Sequence, residues 1–242
     1  MKNIYLLLIS FLITFSVQSQ RNPENTYLTS FTYKAKDGMT AKFEKAAAKK
    51  TKMFNSEDGN IILTYKAITG PDTGVYERYL VNQKSSSYDR DASKELQYWD
   101  DNVAPYVGQA GGQQRWLHED WAAIGEGGDP KKYLHKTIVR YKPGMREHAA
   151  RYIYRAGKVA EKRNPNTLRR VFSIVSGGDL NMIVIFNGFD KYDDWVENDS
   201  TWAEDYNEMF GWETHSDDLE HMQKSLRDWN GMVRYTLERV DF

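Results

Sequence analysis

The apolar positions change period along the chain, and each change marks an element. From Tyr27 to Ala35, Tyr, Leu and Phe alternate with Ser, Thr and Lys, the pattern of a half-buried strand. From Met39 to Asn55 the apolar residues Met39, Phe43, Ala46, Ala47, Met53 and Phe54 recur every three or four positions, which predicts a helix with one buried stripe. Ile61 to Ile68 and Val75 to Val81 read as a hairpin around Gly70-Pro71-Asp72-Thr73-Gly74. Ala92 to Val103 reads as a helix with Leu96, Trp99 and Val103 inward, stopped by Pro105. Gln114 to Ile124 reads as a closing strand.

The same order then recurs. Tyr133 to Tyr141 is a strand, Met145 to Lys162 a helix, and Leu168 to Val175 with Met182 to Asn187 a hairpin. A helical region begins near Lys191 and resumes from Ser216 to Trp229, with Leu219, Met222, Leu226 and Trp229 as its stripe. Met232 to Val240 closes the chain as a strand. The recurrence has a fixed offset: Tyr27-Leu28 returns as Tyr133-Leu134, and Lys36-Asp37-Gly38-Met39 as Lys142-Pro143-Gly144-Met145, each 106 residues on. The basic helix positions Lys42, Lys45, Lys49 and Lys52 map onto His148, Arg151, Arg155 and Lys158. Both sets read as a solvated outer face.

These elements imply an α+β fold of two tandem β-α-β-β-α-β units, residues 21–125 and 132–242, joined by a linker at 126–131. A ferredoxin-like unit covers one sheet face with helices and leaves the other open, so two units packed sheet to sheet would bury both open faces. Residues 1–20 precede them with Lys2, an apolar run from Ile4 to Val17 and a small residue at Ser19, the layout of a secretory signal peptide. The expected location is therefore the periplasm or exterior of a bacterium, with no transmembrane segment once the leader is removed.

Composition narrows the function classes. With 33 Lys+Arg against 34 Asp+Glu, the net charge of −1 supplies no field for nucleic acid. The absence of cysteine excludes disulfides, thiolate metal sites and cysteine nucleophiles. Aromatic residues make up 14% of the chain, and the repeat assigns most of them to packing between the two sheets. Trp195, Trp202, Trp212 and Trp229 would suit sugar stacking, but core packing is the simpler use.

The strand-to-helix entries YLTSFTYKAKDGM and YLHKTIVRYKPGM, with the hairpins TGPDTGVYERYLV and SGGDLNMIVIFNGF, resemble the dimeric α/β-barrel superfamily over nearly the whole mature chain. The pattern is most similar to its NIPSNAP-like and antibiotic-biosynthesis-monooxygenase-like branches. That resemblance implies an intramolecular dimeric α/β barrel and a range of functions: oxygenation, isomerisation, haem handling or binding alone.

Five histidines are present. Strand alternation puts Trp116, His118 and Asp120 on one face, and Tyr133, His135 and Thr137 on one face. If both faces point between the sheets, Trp116, His118, Asp120, Tyr133 and His135 line a cavity. An imidazole there suits proton shuttling or ligation of haem iron or a metal; the simpler reading, and the preferred one, is a histidine hydrogen-bonded in a half-buried sheet. His215 and His221 are six residues apart, which puts them on opposite faces of a helix and defeats a metal pair. No metal site is expected, and the cofactor stays unassigned. The expectation is a binding or interaction protein of the cell envelope; the alternatives are a cofactor-independent monooxygenase or isomerase and a haem-binding protein. The partners compatible with this are a small hydrophobic ligand and a second copy of the chain.

Overall fold

The computed structural model describes residues 25–57, 59–125, 129–193 and 198–240. The leader expected at 1–20, residues 126–128 of the linker, and Trp195 lie outside the described residues. In chain order the elements are β1 Tyr27–Ala35, α1 Thr40–Phe54, β2 Ile62–Ala67, β3 Tyr76–Gln83, α2 Ser93–Asn102, β4 Val107–Ala110, β5 Gln114–His118, β6 Tyr133–Arg140, α3 Arg146–Arg163, β7 Leu168–Ser176, β8 Met182–Phe189, α4 Trp202–Phe210, α5 Thr214–Ser225 and β9 Met232–Arg239.

Eight strands close into an antiparallel barrel in the order β5-β1-β3-β2-β9-β6-β8-β7, with β7 returning to β5 and β4 pairing with the end of β1 along the same edge as β5. The β2–β3 turn is built as its sequence requires: Gly70 and Gly74 both have positive φ, at 93° and 88°. Closure leaves no long open edge and gives each barrel strand two covered faces. The inner face holds Leu28, Tyr65, Tyr79, Trp116, Phe186, Tyr235 and Leu237, all buried, with Leu134 and Phe172 packed against them. Each buried ring removes about 150–250 Å² from water, roughly 4–6 kcal/mol of hydrophobic stabilisation before entropy is counted. The outer face packs against helices in two clusters. One is centred on Phe43, Ala47, Tyr76 and Val103, the other on Val139, Ile153, Ile183 and Met222.

Several expectations are corrected. The closing strand β5 stops at His118, not near Ile124. Glu119 still donates its N–H to Val171 O while its carboxylate accepts from Arg146, Ser173 and Trp121; a 3-10 turn at Asp120–Ala122 then breaks the ladder, and Ile124 rejoins it only as an isolated bridge to Arg169. Leu96 is exposed rather than inward. The last helix ends at Ser225, whose hydroxyl donates back to Met222 O, and Leu226 bridges to Tyr141. Trp229 therefore leaves the stripe and is 83% exposed, and Trp212 is 85% exposed. The helix expected near Lys191 begins at Trp202, where Thr201 and Glu204 form a reciprocal cap.

The two basic helix faces also part ways. Lys42, Lys45, Lys49 and Lys52 are exposed on α1. On α3 the matching positions are drawn against α5: Arg155 pairs with Asp218 at 2.6 Å, and His148 stacks on His221.

Candidate functional site

Phase, which alternation alone does not give, decides which side chains share the barrel interior. Leu28 lies opposite Trp116, so Trp116 and His118 on β5 point inward with Leu28. On β6 the inward residues are Leu134, Lys136 and Ile138. Tyr133 and His135 have the other parity and lie on the outer face. There they form an aromatic cluster with Phe189 and Tyr192, and His135 borders an outer cavity of about 670 Å³. The five-residue set expected to line one cavity is thus divided. Trp116 and His118 are inside, Asp120 is exposed at the rim, and Tyr133 and His135 are on the far side of the wall.

The interior is graded along its axis. One mouth is an apolar chamber of about 330 Å³, walled by Leu63, Tyr65, Tyr79, Leu134, Phe172 and Phe186, with His118 and Arg170 on its lining. The other mouth is polar. Glu77 is buried there and accepts from Lys136 Nζ at 2.5 Å and from the Tyr79 hydroxyl. Tyr79 thus joins the two ends, its ring in the apolar chamber and its oxygen in the polar one. Trp116 sits between them, its indole donating to Ser30 Oγ at 3.0 Å. Sequence reasoning missed the Glu77–Lys136 pair because both strands are covered on both faces, so a charge on either of them does not mark a solvent face, and the pairing across the barrel is not readable from one strand alone.

His118 is held from both sides. Its backbone N–H donates to Thr26 O, and its ring rests on Phe172 with centroids 5.1 Å apart. Nδ1 lies 2.8 Å from Asp120 Oδ1 at the rim. That bond places the proton on Nδ1 and leaves Nε2, on the inward side, as a bare acceptor. Nε2 is buried and has no hydrogen-bond partner, an arrangement that calls for a ligand or a function. Burial pushes the His118 pKa below the ordinary histidine value; Asp120 opposes this and Arg170 reinforces it. The ring is therefore neutral at pH 7.

Arg170 reaches the same chamber from β7. Nη1 alone is anchored, on the carbonyls of Ile124, Gly125 and Arg169 at 2.8–2.9 Å. Among the described residues no carboxylate pairs with it. Burial lowers its pKa. The chamber therefore offers a neutral base, a cation and an apolar wall, the elements of proton transfer to a weakly acidic molecule.

A porphyrin does not fit at His118. The imidazole ring is packed on Phe172, and Tyr65, Tyr79 and Phe186 cross the chamber, leaving no room for a macrocycle in about 330 Å³. Among the described residues no group of three or more His, Asp or Glu could hold a metal ion, and no helix is long and apolar enough to cross a membrane.

No family model matches the sequence, and no curated protein is significantly similar to it. Solved structures do share its fold. A provisionally assigned monooxygenase from Lactobacillus acidophilus NCFM superposes with a TM-score of 0.56 at 10% identity, covering 89% of this chain and 94% of that one. An anthrone oxidase-like protein gives 0.52 at 10% identity, covering 91% and 93%. A provisionally assigned chlorite dismutase gives 0.50 at 10% identity, covering 90% and 95%. With the closed eight-stranded antiparallel barrel and helices packed on its outside, these similarities give the chain the dimeric α/β-barrel fold.

Proposed function

We propose that the chain is a cofactor-independent proton-transfer enzyme of the isomerase or monooxygenase type, acting on a small, flat, weakly acidic molecule in the apolar mouth of the barrel. The observation that carries this is the His118 imidazole on the chamber lining, with Asp120 behind Nδ1, a buried Nε2 that has no hydrogen-bond partner, and Arg170 on the same lining. In the reaction, a substrate C–H or O–H breaks and its proton passes to Nε2. The imidazolium so formed is held by Asp120, and the negative charge left on substrate oxygen faces the Arg170 guanidinium. Return of that proton to another substrate atom completes an isomerisation. A pure binding role leaves the dyad and the unpaired cation without a use.

The test is proton exchange. Anthrone, named in one fold neighbour, has acidic C–H bonds whose washout into D2O is read by NMR. Wild-type protein is expected to accelerate washout, and His118→Ala to lose about 10²–10⁴-fold of that acceleration. Equal washout by both proteins sinks the assignment.

Two further readings belong to the proposal. The halves are copies of one ferredoxin-like unit, supported by the matching strand orders β5-β1-β3-β2 and β9-β6-β8-β7 and by the 106-residue offset. The protein is exported, supported by the composition of residues 1–20; N-terminal sequencing of mature protein from the native host tests this.

A further inference from the structure

A second cavity, of about 250 Å³, lies outside the barrel between the β1–β3–β2 face and the helices α1 and α2. Its lining carries three cations, Lys50, Arg78 and Arg90, and one carboxylate, Glu95. Glu95 is already shared: it accepts from Lys50 Nζ and, at 2.7 Å, from Arg90 Nη2. Among the described residues no carboxylate pairs with Arg78, although it is only 2% exposed. Its Nε donates to Thr64 Oγ1 at 3.3 Å, its Nη2 donates to Thr51 Oγ1, and its guanidinium lies over Trp99 at 5.2 Å. Among the described residues Nη1 has no hydrogen-bond acceptor. Burying so much uncompensated positive charge is expensive, and burial lowers the pKa of Arg78 to about 10 and of Lys50 to about 8.

The fold does not demand this charge. Arg78 stands opposite Phe31 across β1 and β3. The matching register between β6 and β8 is Thr137 opposite Ile185, and Ile185 is part of a buried apolar cluster. Lys50 maps at 106 residues onto Ala156. At these two positions the second half carries uncharged side chains, and its own buried cation, Arg169, is tied to Ile153 O and Asn187 Oδ1 at 3.2 Å, whereas the first half keeps Lys50 and Arg78 beside an open cavity.

We propose that this cavity binds a small organic carboxylate, its acid group seated among Lys50, Arg78 and Arg90 and its apolar body against Trp99 and Tyr33. A carboxylate offers two oxygens to the unsatisfied Arg78 nitrogen and the lysine ammonium, and charge-assisted bonds of this kind are the stronger ones. The aromatic wall favours a ring or short aliphatic body over a bare inorganic anion.

The test is calorimetric titration of the intact protein with benzoate at low salt. Benzyl alcohol serves as the uncharged control, and inorganic phosphate as the anion without an apolar body. One benzoate is expected per chain, with benzyl alcohol and phosphate at least tenfold weaker. Arg90→Gln removes a half-exposed cation at the edge and should weaken benzoate about tenfold. Glu95→Gln removes the competing carboxylate and should tighten it. His118→Ala, in the other cavity, should leave it unchanged. No benzoate binding, equal binding of benzyl alcohol, tighter binding of phosphate, or an affinity indifferent to Arg90→Gln each overturns the proposal. Should Glu95→Gln fail to fold, the Arg90→Gln comparison and the two control ligands decide it alone.

Discussion

The charged cluster under α1 makes a prediction that can be worked through from the structure. Glu95 is 8% exposed and is the carboxylate facing Lys50, Arg78 and Arg90. Glu95→Gln leaves these cations facing one another. Breaking a buried pair by removing one partner typically costs about 3–5 kcal/mol. The variant has one escape, to release the Lys50 proton. Relative to an unfolded lysine near pKa 10.4, that costs about 1.4 kcal/mol for each pH unit below it, hence roughly 5 kcal/mol at pH 7 and about 2 kcal/mol at pH 9. The loss on Glu95→Gln should therefore be about 3–5 kcal/mol at pH 7 and no more than about 2 kcal/mol at pH 9. The wild-type curve moves the same way. Lys50 is lowered from 10.5 to about 8 in the fold, so between those values the unfolded chain binds the extra proton and stability rises with pH. Lys50→Met, which removes a cation and keeps the volume, should be nearly neutral or stabilising. Urea denaturation of the three proteins at pH 7 and pH 9 measures all of this. A Glu95→Gln loss below about 1 kcal/mol at pH 7, or an equal loss at both pH values, refutes the reasoning.

Other consequences are shorter to state. Because the His118 base must be neutral, anthrone proton washout should fall as pH drops through a midpoint below the ordinary histidine value near 6.5; a midpoint above that value contradicts the desolvated site. Asp120 is 91% exposed, so Asp120→Asn should lower the His118 pKa by less than about one unit in an NMR titration, and a larger shift would mean a buried pair. At the polar end, Glu77→Gln strands the 13%-exposed Lys136 and should cost about 3–5 kcal/mol, whereas the double change with Lys136→Met should recover most of it in denaturant unfolding. Haemin added to the purified protein should give no Soret band; a band abolished by His135→Ala would place haem in the outer cavity and count against the barrel mouth as the site.

Much of the fold was legible because local pattern and global packing agree. The Tyr27–Ala35 strand lies where alternation put it, and the α1 and α3 limits fall within a residue or two of their apolar stripes. What was not legible has identifiable causes. Parity along β5 and β6 was readable, but only the pairing of Leu28 with Trp116 and of Leu134 with Leu237 fixes which parity faces inward. His118 and His135 therefore looked equivalent and are not. Glu77 and Arg78 are adjacent, one inward and one outward, on a strand covered from both sides, where charge no longer signals solvent. Lys50 did carry a signal: it falls on the 43, 47, 50, 54 stripe of α1 and is 4% exposed, while Met53, assigned to that stripe by its hydrophobicity, is 55% exposed.

The contrast between the two helix layers explains why ligand chemistry concentrates where it does. In the second half, two helices follow β8, and their acids answer the cations of α3. Asp218 takes Arg155 at 2.6 Å, and Asp205 takes Lys162 at 3.0 Å and Arg163 at 2.5 Å. Both aspartates are nearly inaccessible, so these pairs lock α3, α4 and α5 into one layer over a sheet face that is apolar except for Arg169, which donates to Ile153 O of α3 and to Asn187 Oδ1. In the first half the single helix α2 brings one buried acid, Glu95, to a sheet face that carries Arg78, and a cavity remains. A layer with its helix charges matched serves as a wall; a layer with cations in excess beside open space has binding capacity left over. The same contrast separates the two mouths of the barrel, since Glu77 and Lys136 satisfy each other at the polar end while His118 Nε2 is unsatisfied at the apolar end. In both places an unmatched polar group borders open space, and that combination, rather than volume alone, is what the two proposed ligand sites rest on.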